Sequence, residues 1–200
     1  METAPTLRDR KKAATSEALH RAAMRLAQER GLDNVTVEAI AEAANVSRRT
    51  FSNYFANKED ALLHGYRTSV TQLLDAVRAR PADEPAWAAL RASATALYDA
   101  MATADPEGIT RSRLMRKHPS LLAAQMALNA QFEADVAAQL ATRTDDPLAA
   151  RLMAAAFLSS IRIGVQYWLD HQPAGATLPQ VIDQALARMG ADFDNPARPG

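Results

Sequence analysis

Apolar residues recur along this chain at intervals of three and four almost without interruption, the period of an amphipathic helix. Alternating β-branched runs and Asn-Gly hairpin turns are missing, and only Thr36–Val37 hints at a strand. Ala18, Leu19, Ala22, Ala23 and Leu26 form the stripe of a first helix, predicted over 7–29, with Gly31 as its stop. Thr36 caps a second helix over 37–44, Ser47 a third over 48–54, and Asn57 a fourth that runs to about Arg80. Asn45 falls in the turn between the second and third, a residue type that tolerates left-handed backbone. Glu59 and Asp60 suit the N-terminal dipole of the fourth helix. Pro81–Pro85 breaks it. Further helices are predicted at 85–103, 106–117, 119–142, 147–171 and 178–190. Proline stands in the first turn of several, and Thr177-Leu178-Pro179-Gln180 has the form of a capping box. The polar tail, 191–200, is expected to be disordered.

The fold class this implies is all-α: an N-terminal three-helix helix-turn-helix domain over 8–57 and a helical domain over 58–190. The first domain needs a small core of its own. Val37, Ile40, Val46, Phe51 and Phe55 are spaced to face Leu19, Ala22 and Leu26. That leaves Arg48, Arg49, Ser52 and Asn53 on the outer face of the short third helix, a polar face that packing alone does not explain. Arginine reads guanine bidentately and asparagine reads adenine. Ser47, Thr50 and Tyr54 carry hydroxyls suited to phosphate or base contact. Thr36 and Lys58 lie at helix N-termini, where free amides favour a phosphate. Thr36, Ser47, Arg48, Arg49, Thr50, Asn53, Tyr54 and Lys58 are therefore the candidate DNA-contacting residues.

Composition narrows the alternatives. The 200 residues carry a formal net charge of +0. Residues 1–80 hold 13 Lys+Arg against 10 Asp+Glu, and the rest hold 10 against 13, a modest basic bias toward the N-terminal region. There is no cysteine, which excludes disulfides and thiolate chemistry. The N-terminus lacks the apolar segment of a signal peptide, and no apolar run approaches the length of a membrane span. The four histidines are scattered, with no metal-binding spacing, no Gly-rich phosphate loop and no Gly-x-Ser-x-Gly elbow. Nothing calls for a cofactor, metal or catalytic residue, and an enzyme is not expected.

The stretch AAMRLAQERGLDNVTVEAIAEAANVS, followed by RRTFSNYFANKEDAL, resembles the N-terminal domain of tetracycline-repressor-like regulators. The matching features are an apolar helix, a Gly turn, a Thr before the second helix, a turn ending in Val-Ser, a short helix ending in Tyr-Phe, and a Lys-Glu-Asp start to the next. Three positions depart from the family pattern: Asn45 replaces the common turn glycine, Arg49 a small residue, and Ser52 an aromatic. The last two alter the operator that is read. The resemblance implies a cytoplasmic homodimer on a double-stranded DNA operator, mostly a repressor released when a small molecule enters the C-terminal domain. Arg8, Arg10, Lys11 and Lys12 resemble an arm that touches the minor groove or backbone.

In that family the C-terminal domain holds a pocket between helices, apolar with few polar groups. Trp87, Tyr98, Met101, Arg113, Met115, Met126, Phe157 and Trp168 are the candidate lining, against ordinary core packing as the alternative. The basic segment Ile109–Ala123 resembles one in a mycofactocin-type branch of these regulators and implies an acyl or acyl-CoA-like effector. The last two helices are expected to form the dimer through Leu158, Ile161, Val165, Leu169, Val181 and Leu186, with Gly164 permitting close helix approach. Arg162, within an apolar stretch, either pairs with an acid or ligand or points outward.

Overall fold

The computed structural model describes residues 6–104, 118–171 and 175–191, and all regular structure among them is helical. Helix α1 spans Leu7–Arg30, and a single 3-10 turn, Leu32–Asn34, follows it. Then come α2 (Val37–Ala43), α3 (Arg48–Ser52), α4 (Lys58–Leu62) and α5 (His64–Ala79). Beyond Pro81–Pro85 lie α6 (Ala86–Ala104), α7 (Pro119–Leu140), α8 (Pro147–His171) and α9 (Leu178–Gly190). The helix expected at 106–117 and the tail after 191 lie outside the described residues.

The caps explain most of these boundaries. Gly31 ends α1 at φ 76°, a conformation open to glycine at no steric cost. Thr177 and Gln180 satisfy each other's backbone amides in a capping box at the start of α9. The expected fourth helix is interrupted: Leu63 (φ −85°, ψ 1°) separates α4 from α5. Its N–H still reaches Glu59 O, and its own carbonyl still accepts from Arg67, so the break is a distortion rather than a turn.

The described chain divides into two compact units. The first runs through Thr68 and takes in the start of α7; the second holds Ser69 onward and α7 from Met126. The compact first unit thus extends past residue 57, where the sequence pattern placed the domain boundary. Its core is Leu19, Ala23, Met24 and Leu26 of α1 with Leu32, Val35, Ile40, Ala41, Phe51, Phe55, Leu62 and Leu63. Val37 and Val46, expected inside, are only half-buried. Burial of each large apolar side chain contributes about 1.5–3 kcal/mol.

In the second unit Trp87, Leu90 and Ala94 pack with Phe132, Val136, Leu140, Ala150, Ala154, Phe157, Ile182 and Leu186. Two polar ties bind its helices. Arg91 donates Nε and Nη2 to the two carboxylate oxygens of Asp183 at 2.8 and 2.9 Å, and Thr95 adds a bond at 3.2 Å. The Arg91 bond, foremost, holds the Asp183 carboxyl below its usual range. Arg143 donates to the carbonyls of Val77, Arg80 and Pro81 at the end of α5. 

Helix α8 corrects one expectation: it is long and apolar enough, by length and composition, to cross a membrane. Its charges, Arg151, Arg162 and Asp170, are too widely spaced to break the apolar run. The core helix of a packed unit has the same composition, and Ala150, Ala154, Phe157, Ser160 and Gly164 are buried here.

Candidate nucleic-acid interface

Residues 36–58 form the helix-turn-helix that the sequence pattern predicts. Thr36 is extended (φ −110°, ψ 158°), and its hydroxyl accepts from Ala39 N at 3.1 Å, opening α2. At the other end Asn45 adopts φ 55°, among the described residues the only non-glycine with positive φ. The N–H of Val46 reaches back to Ala41 O at 2.9 Å, which closes the helix in the Schellman manner and turns the chain into α3. Ser47 then caps α3, its Oγ accepting from Thr50 N at 3.0 Å and lying 2.8 Å from Thr50 Oγ1.

Phe51 and Phe55 anchor α3 from beneath, buried with ring centroids 5.8 Å apart. With that face fixed, Arg48, Arg49, Ser52 and Asn53 are exposed, while Thr50 and Tyr54 are half-buried. The polar face is therefore presented outward by a helix held at its cap and by two aromatic side chains. This is the arrangement that places base-reading groups in a major groove and leaves capping residues near the phosphates.

Three details differ from the sequence reading. Lys58 is not a free cation: Nζ donates to Leu32 O at 2.9 Å and to Val35 O at 3.1 Å. Two of its three N–H groups tie α4 to the turn before α2. The basic residues Arg8, Arg10, Lys11 and Lys12 lie within α1, not on an extended arm, because Thr6 and Asp9 build a capping box that starts the helix ahead of them. The Thr6 hydroxyl, donating to Asp9 Oδ2 at 2.6 Å, and then the Thr6 N–H hold the Asp9 carboxyl below its usual range. Sequence reasoning also missed Glu38: its Oε1 lies 3.0 Å from Arg48 Nε. The available signal was an acid two residues after the Thr36 cap, on the exposed side of α2.

The candidate effector residues fall in different environments. Trp87 and Phe157 are core residues, 1% and 0% exposed, with rings perpendicular at 6.4 Å. Trp87 Nε1 donates to Leu186 O at 3.1 Å, so its polar group is already satisfied inside the unit. Tyr98 and Met101 are half-buried, and Ser69 Oγ lies 3.8 Å from Met101 Sδ. Trp168 is half-buried and donates to Ala176 O at 3.2 Å. Met126 is 64% exposed. Arg113 and Met115 lie outside the described residues. Ser93 is buried, and among the described residues its hydroxyl has no hydrogen-bond partner.

The residues of the expected dimer stripe contact the second unit's own core to different extents. Leu158, Ile161 and Val165 pack against the unit's own core, Leu169 is half-buried, and Val181 and Leu186 are buried. The exposed large apolar residues of α8 are Leu148, Leu152, Ile163 and Tyr167, joined by Met189 of α9. Gly164 does serve close helix approach, but within the chain: a Cβ there would lie 2.9 Å from Ile182 Cδ1. Arg162 points outward, exposed. Among the described residues no group of three or more His, Cys, Asp or Glu is placed to hold a metal.

A capped helix-turn-helix with an outward polar recognition helix, joined to a second helical unit, defines a DNA-binding regulator. The chain belongs to the tetR family of bacterial regulatory proteins: that family's N-terminal model matches residues 19–65, and the model of the MftR C-terminal domain matches residues 84–194. It is similar to the HTH-type transcriptional regulator TcmR of Streptomyces glaucescens, 28% identical over a 207-residue alignment covering 96% of this chain and 92% of that protein. Among solved structures it resembles Thermus thermophilus FadR, a TetR-family repressor in complex with lauroyl-CoA. The identity is 24%, the coverage 92% of this chain and 100% of that one, and the TM-score 0.59. The fatty acid degradation regulator FadR from Bacillus halodurans shares the fold at 17% identity, with coverage of 88% and 98% and a TM-score of 0.58. The protein is a DNA-binding transcriptional regulator.

Proposed function

We propose that this regulator is a cytoplasmic, non-enzymatic homodimeric repressor, released from a palindromic operator by a small apolar or acyl-type effector. The observation that carries the dimer is the apolar face that α8 and α9 leave exposed, Leu148, Leu152, Ile163, Tyr167 and Met189. Pairing it with a second copy buries it and sets two recognition helices on two half-sites, about one DNA turn apart. Arg48, Arg49 and Asn53 read bases; Thr36, Ser47, Thr50, Tyr54 and the remaining N–H of Lys58 meet phosphates or base edges.

The effector class rests on the match to the MftR C-terminal domain and on the lauroyl-CoA held by the similarly folded Thermus protein. The hydroxyl of Ser93, buried in the second unit and without a partner among the described residues, supplies a polar atom for such a ligand. Effector binding acts by its difference in affinity between DNA-competent and DNA-incompetent dimers. Helix α5 runs from the first unit into the second at Thr68–Ser69 and gives that difference a covalent path.

The test is selection of fragments of the source genome by purified protein, followed by titration of a selected site with acyl-CoAs of graded length. One short palindrome, bound by a dimer and lost on addition of an acyl-CoA, is the expected result. Salt-sensitive binding with no shared sequence would overturn the reading.

A further inference from the structure

Glu38 stands on the exposed side of α2 with its carboxylate on the Nε of Arg48, the first residue of α3, at 3.0 Å. Glu42, one turn further along α2, lines the same shallow groove with Asn45 and Ser47. The Glu38–Arg48 pair is largely exposed, with side chains 60% and 73% accessible, so it contributes little to folding. Its position beside the recognition helix gives it another consequence. A carboxylate carried toward DNA meets the phosphate charge, and here the guanidinium of Arg48 is the group that offsets it. Arginine has five N–H donors in a fixed fork. The ion pair brings the Glu38 carboxylate nearest Nε, and the two terminal amino groups of an arginine are the pair that spans guanine O6 and N7.

We infer that Glu38 is a positioning and specificity-determining residue. Its carboxylate draws the Arg48 guanidinium toward α2 so that the terminal amino groups meet one guanine, and its charge disfavours complexes in which Arg48 turns to a phosphate instead. This rests on α3 being the base-reading helix. The two residues act as one unit. Removing Arg48 alone loses its base contact and also strands a carboxylate against DNA, whereas removing both loses only the contact.

The full-length protein carrying Glu38→Ala, Glu38→Gln, Arg48→Ala or Glu38→Ala with Arg48→Ala decides this, by selection from random duplexes and by salt titration on selected and unrelated DNA. Glu38→Ala should keep the wild-type thermal midpoint and bind unrelated DNA more tightly. Its salt slope there should steepen by about one unit, because Arg48 is free to take a phosphate. Discrimination at one base pair per half-site should fall by about tenfold or more. Glu38→Gln, which keeps the side chain's size but removes its charge, should lose that base preference as Glu38→Ala does. Arg48→Ala should cost less affinity in the Glu38→Ala background than in wild type. Unchanged base preference in Glu38→Ala, or strictly additive losses, would overturn the inference. So would a lowered midpoint with discrimination intact. A wild-type protein that selects no sequence would instead overturn the base-reading role of α3.

Discussion

The rings of His20 on α1 and His64 at the start of α5 stand edge to face, with centroids 5.7 Å apart. Phe55 closes the other side of His64 at 5.4 Å. His20 is buried, its Nδ1 2.8 Å from Ala61 O, so the proton belongs on that nitrogen. The DNA-reading unit is thus closed by a seam of aromatic rings.

Burial, and next the coulombic effect of His20, push the His64 imidazole below its ordinary value of 6.5; Arg67 adds to this, while Glu17 and Asp60 oppose it. The neutral ring is therefore the form the fold favours. Its contribution is present above the unfolded value and is lost as pH falls from there toward the folded one. Denaturation between pH 7.5 and 5.5 should show wild-type stability falling, and His64→Gln should fall less over the same interval. Equal pH dependence in the two proteins would contradict this.

Lys58→Ala should destabilise the protein by about 1–3 kcal/mol, since two hydrogen bonds from a charged donor to the carbonyls of Leu32 and Val35 are lost. A urea midpoint measures it. Were Lys58 a phosphate contact alone, the midpoint would not move and only DNA affinity would fall.

A Cβ on Gly190, the last residue of α9, would overlap the indole of Trp87. That ring has little freedom to move, buried against Phe157 and bonded to Leu186 O. Gly190→Ala should lower stability by about 1–3 kcal/mol, the usual range for overpacking, and shift the tryptophan fluorescence. Full retention of the wild-type midpoint would show that the ring moves freely.

Leu152→Glu combined with Ile163→Glu places two charges on the exposed face of α8. Sedimentation should show a monomer with unchanged helical circular dichroism and no operator binding. A dimer that persists would locate the interface elsewhere.

The caps were fully legible in the sequence: Thr36, Ser47, Asn57 and Thr177 each accept the bond expected of them, because a cap depends on residues three apart. Asn45 was legible for the same reason. The sequence could not assign the faces of α8. That helix is apolar nearly all round, so Leu158–Ile161–Val165 and Leu148–Leu152–Ile163 are both stripes at helical spacing, and only packing against α9 decides which lies inside. Lys58 and Glu38 eluded the pattern because their partners are set by tertiary approach. Leu32 O is 26 residues from Lys58, and the turn at Asn45 brings Arg48 to Glu38.

Helix α5 ends without a glycine. The carbonyls of Val77, in its last turn, and of Arg80, just beyond it, accept from the guanidinium of Arg143, 66 and 63 residues downstream. The punctuation of this helix is therefore written far along the chain, after α7. During synthesis α5 emerges before the residue that finishes it, and its C-terminal turn stays open to water until Arg143 arrives. A fragment cut ahead of residue 143 would lose that full stop.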